Sequence, residues 1–96
     1  MYDNYAAKLF AENINLTIPW YLMASYAYYV QDKPILTDGF FDDLAKTLLA
    51  VWDDVDHQHK HLITKDMLTA GSYIGKYPGI VEGSIKSLKS LCINKL

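Results

Sequence analysis

Tyr28 and Tyr29 close an apolar run, and Asp38, Phe41 and Asp42 follow a short connection built on Asp32-Lys33-Pro34. These residue types suit one kind of chemistry. Flat aromatic side chains stack on a flat ring, and they gain further if that ring is positively charged. Carboxylates accept hydrogen bonds from hydroxyl donors. If a helix opens at Thr37, Asp38 lies three residues from Phe41 and four from Asp42, so all three share one side of its first turn. The pattern makes a cradle for a flat ring carrying hydroxyl groups. The same residues also fit a structural reading. An Asp-x-Pro turn before a capped helix is a common connection, Tyr28 and Phe41 can pack across it, and Asp38 suits a helix N-terminus with or without a ligand.

Other groupings carry less. Asp53, Asp54 and Asp56 precede His57, His59 and His61. On a continuing helix, His57 and His61 would share a face with the acidic residues nearby, a donor set for a divalent metal. The spacing matches no zinc signature and Cys partners are absent, so a polar helix end is expected and no metal site is assigned. Cys92 falls in an apolar stripe, where a buried inert thiol is the expectation. Asp42 and Asp43, adjacent on a helix, cannot aim two carboxylates at one atom. Gly71 and Gly75 lack the Lys-Ser/Thr of a phosphate loop. Tyr73 and Tyr77 are expected in the core. No catalytic residue emerges, and no enzyme activity is expected.

Composition narrows the partners. The chain has 96 residues, enough for one domain over 1–96. Its 8 Tyr, 3 Phe and 2 Trp are a heavy aromatic load, and Tyr suits positions that are half wet. Net charge is −2, and all 9 basic residues are Lys. Without Arg the chain lacks the usual fork for phosphates and for guanine edges, so direct nucleic-acid binding is not expected. The single Cys92 fits a reducing compartment, and residues 1–15 show no signal-peptide pattern. The apolar run from Ile18 to Val30 is too short and too rich in Tyr to span a bilayer. A cytoplasmic location without membrane attachment is expected.

The elements that would position the cradle are helical. Tyr5, Leu9, Phe10 and Ile14 mark a first short helix. Thr17 is expected to cap a second, with Pro19 in its first turn and Trp20, Met23, Ala24, Ala27 and Tyr28 on one face. It should end near Gln31, because Lys33 precedes a proline. Thr37 should cap a third helix, whose stripe of Phe41, Leu44, Ala45, Leu48, Trp52 and Val55 is the clearest in the chain. A turn at 57–61 leads to a short fourth helix capped by Thr64 and ended by Gly71. Tyr77-Pro78-Gly79 breaks the chain before a final helix over 80–92, with Val81, Ile85, Leu88 and Cys92 inward. No segment alternates like a strand. The expected fold is all-α, four or five short helices around the amphipathic third.

The run Tyr28-Tyr29-Val30-Gln31-Asp32-Lys33-Pro34 through Asp38, Phe41 and Asp42 resembles the N-terminal helical module of NAD-dependent bacterial DNA ligases. That family carries Tyr-(His/Tyr)-Val-x-Asp-x-Pro-x-x-x-Asp-x-x-Tyr-Asp, and the likeness covers roughly residues 20–63. The resemblance implies a small helical fold and binding of the nicotinamide mononucleotide half of NAD. By it, Tyr28, Tyr29, Asp38, Phe41 and Asp42 take the nucleotide-contacting positions. The aromatics would flank the nicotinamide ring, and the two carboxylates would hold ribose hydroxyls. Two positions depart from the pattern: Phe41 replaces the usual Tyr, and Phe40 replaces a small or acidic residue. The chain has no Lys-x-Asp-Gly nucleophile motif, and Lys65-Asp66 lacks its surroundings, so adenylation and nick sealing are not expected. Small stand-alone proteins of this type resemble products of tailed bacteriophages, which would place the chain in a host cytoplasm.

A second reading comes from the surplus of Tyr and the acidic run at 53–56. It makes the chain a protein-interaction module, viral or accessory, that docks on a host protein or on another copy of itself. An open pocket lined by Tyr28, Tyr29 and Phe41 would favour the nucleotide. Burial of those rings, with an aromatic patch elsewhere, would favour the protein partner.

Overall fold

The computed structural model describes residues 1–94, with side chains as far as Lys89. The described residues form five α-helices and no strand: α1 Asp3–Glu12, α2 Thr17–Tyr29, α3 Asp38–Ala50, α4 Lys65–Ala70 and α5 Ile80–Asn94. Single 3-10 turns occupy Ile14–Leu16 and Lys60–Leu62. The all-helical expectation holds, and every expected helix is present.

The centre of the packing is α2 rather than α3. Trp20, Tyr21, Leu22, Met23 and Ala24 are consecutive and all buried, so together they lie on every side of α2. A helix that is apolar all round has to be enclosed. Helix α2 packs against α3 on one side and α5 on another, while α4 packs on α3. Helix α3 keeps the amphipathic character its stripe predicts, with Leu44, Ala45 and Leu48 buried. Tyr28 departs from its expected inward place. It sits in the last turn of α2, half exposed, beyond the reach of the core.

Thr17 does not cap α2. It is the first helical residue, and its hydroxyl donates to the Ile14 carbonyl at 2.7 Å, closing the 3-10 turn. The Ser25 hydroxyl donates to the Tyr21 carbonyl at 2.7 Å, so both buried polar side chains are satisfied. After α2 the chain reverses at Asp32, whose φ of 53° lies in the left-handed region. There the Lys33 N–H donates back to the Ala27 carbonyl at 2.9 Å.

The start of α3 is fixed from two sides. Thr37 Oγ1 accepts from the Phe40 N–H at 3.3 Å, the N-cap bond its sequence position predicts. The Asp3 carboxylate then grips Thr37 itself, accepting from its N–H at 3.0 Å and from its hydroxyl at 2.6 Å. The Tyr2 N–H donates to the Ile35 carbonyl at 2.8 Å, so the chain's first residues clamp the 35–37 connection. Thr37→Ala is expected to cost about 1–2 kcal/mol in urea denaturation, because cap and clamp are lost together. Thr37→Ser should retain most of that stability.

Helix α3 ends at Ala50, before its apolar stripe runs out. Asp53, Asp54 and Asp56 would sit at the negative end of a longer helix, which opposes its growth. Residues 51–54 turn instead, and Val55 is still buried. Lys60 Nζ then donates to the Trp52 and Val55 carbonyls at 2.6 and 2.9 Å and lies 4.8 Å from the Trp52 ring centre. The conditional metal face therefore does not form. His57 Nδ1 accepts from the His59 N–H at 3.1 Å, and burial holds the imidazole below its ordinary pKa. Among the described residues, no group of three or more His, Cys, Asp or Glu is placed to hold a metal.

The glycine pair at 71 and 75 has two structural roles. Gly71 ends α4 with a φ of 67°, the left-handed cap that favours glycine. A Cβ at Gly75 would fall 2.7 Å from the Tyr73 hydroxyl, so only a bare backbone fits beside that ring. Tyr73 is buried as expected, while Tyr77 is half-buried and packs on Tyr73 and Tyr26. Burial pushes the Tyr77 phenol up to about 12. The inward place expected for Cys92 falls outside the described side chains.

Candidate functional site

A cavity of about 260 Å³ opens between the end of α2, the start of α3 and the end of α4. Tyr28, Tyr29, Asp38, Phe41 and Asp42 all line it, joined by Ala24, Pro34, Leu36 and Gly71. The five residues singled out in the sequence are thus neighbours around one opening. Three elements form the opening. The last turn of α2 supplies the tyrosines, the clamped N-terminus of α3 supplies both carboxylates and Phe41, and the cap of α4 supplies Gly71.

Each wall has a physical support. Tyr28 and Tyr29 meet edge to face, with ring centres 4.9 Å apart, and stand 48% and 50% exposed. Phe41 is held by Tyr21, which stacks on it at 5.1 Å with ring planes 17° apart. Two stacked rings prefer this offset arrangement, and it leaves the outer side of Phe41 to the cavity. Leu36, 3% exposed, forms an apolar floor beside the ring of Pro34. The side chains of Asp38 and Asp42 make no hydrogen bond or ion pair with another described residue, so their oxygens are free to accept.

Tyr21 is the residue that sequence reading misses. It is fully buried, and its hydroxyl donates to the Ser72 carbonyl at 2.6 Å. One side chain thereby backs the Phe41 wall and ties down the segment after Gly71. Burial raises the Tyr21 phenol well above its ordinary pKa, with the fields of Tyr29, Tyr77 and Asp42 adding to it. A charge at Asp42 is therefore felt at the Tyr21 hydroxyl. Nothing in the apolar surroundings of Tyr21 in the sequence separates it from other core aromatics.

Gly71 is legible only as a helix stop, yet it also shapes the cavity. A Cβ there would lie 3.6 Å from Asp42 Oδ1, ordinary contact, but on a left-handed backbone. Gly71→Ala is expected to cost about 1 kcal/mol in thermal denaturation from backbone strain. The added methyl should also crowd the Asp42 side of the opening.

Phe40, a departure from the ligase-like pattern, lies away from this cavity. Its ring stacks on Phe10 at 6.3 Å and lines a separate cleft of about 270 Å³ with Ala7, Asp43, Leu44 and Thr47. Its large side chain serves the packing of α1 on α3 and leaves the first cavity open.

No protein-family model and no solved structure matches the chain. Among the described residues no helix is long and apolar enough to cross a membrane.

Proposed function

We propose that the chain is a non-catalytic module, similar to the N-terminal helical part of NAD-dependent DNA ligases, that binds the nicotinamide mononucleotide portion of NAD weakly. The observation that carries this reading is the convergence of three aromatic rings and two carboxylates on one small cavity. In it, the nicotinamide ring stacks against Phe41 with the tyrosine pair flanking it, and Asp38 and Asp42 accept from the ribose hydroxyls. The cavity, about 260 Å³, is smaller than the range of roughly 300–1,000 Å³ usual for drug-sized ligands, which suits one ring and one sugar better than a whole dinucleotide. One stacked ring and a few exposed hydrogen bonds correspond to a Kd of about 0.1–1 mM. Calorimetric titration with nicotinamide mononucleotide tests the reading. Asp42→Ala and Tyr29→Ala should each weaken binding by about three- to tenfold. Unchanged affinity in both variants would place the ligand elsewhere.

The protein-interaction reading keeps one observation of its own. Val30, Ile74 and Ile80 stand 55%, 85% and 65% exposed, leaving three large apolar side chains open to contact. A host protein or a second copy could cover them. Tyr28, Tyr29 and Phe41 belong to the open cavity, which favours the nucleotide for those rings.

A further inference from the structure

The charge around the cavity points to a narrower ligand class. Its lining holds two carboxylates, Asp38 and Asp42, and no basic side chain. The backbone adds to this field. Tyr28 and Tyr29 sit in the last turn of α2, and Gly71 caps the end of α4, so the negative ends of two helices border the opening. Neither helix carries a basic residue in its last turn to offset them. The one positive helix end, that of α3, already has Asp38 in its first turn and Asp3 on its cap. The aromatic rings present electron-rich faces to the same space. The balance of these local charges therefore favours a cation over a phosphate.

We propose that this cavity recognises the positive charge of a flat, N-substituted pyridinium ring joined to a sugar, and that a phosphate on that sugar weakens binding. The inference rests on the nucleotide reading above and sharpens it: the preferred ligand is the oxidised, phosphate-free nucleoside. Reduction of the ring to the dihydro form removes the charge while keeping the ring and sugar, so the cavity distinguishes the oxidised from the reduced state. A 5′-phosphate adds a dianion to the same negative field, with no cation among the lining residues to receive it.

Calorimetry with three probes on the full chain tests this: nicotinamide riboside, its reduced dihydro form and nicotinamide mononucleotide. The riboside should bind about threefold or more tighter than the mononucleotide at low salt, and the gap should narrow as salt screens the repulsion. The reduced riboside should bind about tenfold more weakly than the oxidised one, the loss of a cation–aromatic contact. Asp38→Asn combined with Asp42→Asn keeps the shape of the cavity. It should bring riboside and mononucleotide to similar affinities, with circular dichroism confirming the fold. Tighter binding of the mononucleotide than of the riboside overturns the charge inference and leaves the nucleotide reading standing. Equal binding of oxidised and reduced ribosides overturns it as well. Binding of none of the three overturns both.

Discussion

Tyr21→Ala is expected to remove about 3–5 kcal/mol of stability, the usual cost of deleting a large buried aromatic. Stability near 0.05–0.15 kcal/mol per residue is typical, about 5–14 kcal/mol for a chain of this length, so the loss is a large share of it. The reason lies in three simultaneous roles. Tyr21 fills the centre of α2, supports Phe41 from behind, and holds the segment after α4 through its bond to the Ser72 carbonyl. Tyr21→Phe separates them. It keeps the packing and the stack but leaves the Ser72 carbonyl without its donor, for a cost of about 1–2 kcal/mol in urea denaturation. The pH dependence gives a second readout. Because burial raises the Tyr21 phenol, the folded chain holds a proton that the unfolded chain releases. That contribution is fully present below the ordinary tyrosine value of about 10 and is lost as pH rises above it. Tyr77, pushed up to about 12, acts in the same direction. Stability should therefore fall on the alkaline side, and the fall should be shallower in Tyr21→Phe.

Leu48→Ala should cost about 2–5 kcal/mol, measured by thermal denaturation followed at a helical circular-dichroism band. Leu48 is fully buried on α3. Helix α3 packs on both α2 and α4. A cavity there loosens the one helix that carries Asp38, Phe41 and Asp42. Lys46→Ala, on the exposed side of the same helix, should change stability by less than about 0.5 kcal/mol. Equal effects at the two positions would contradict the packing of α3 described above.

The helices were legible because each has local signals. Thr37 and Thr64 cap with their hydroxyls, Gly71 stops α4, and the break at Tyr77-Pro78-Gly79 precedes α5. The centre of the bundle was not legible, for a physical reason. Helix α2 has no apolar face because it has no polar one, so periodicity pointed to α3, whose contrast is greater. The early end of α3 was hidden in the same way. Its stripe continues through Trp52 and Val55, but the acidic residues between them and the reach of Lys60 favour a turn. Within the cavity, the five residues near one another in sequence were grouped by the ligase-like pattern, with helical spacing placing Asp38, Phe41 and Asp42 on one side. Gly71 and Tyr21 were not, since both enter through the packing of α4 and α2 on α3. The Asp3 clamp on Thr37 joins positions that no local pattern connects.

The proposed function requires the cavity between α2, α3 and α4 to hold a nicotinamide nucleotide. Titration of isotope-labelled protein with nicotinamide mononucleotide, followed by amide NMR, tests it most directly. Saturable shifts confined to Tyr28, Tyr29, Asp38, Asp42 and Gly71, lost in Asp42→Ala, are the predicted result. Shifts that stay flat at millimolar ligand, or that map to another face, would contradict it.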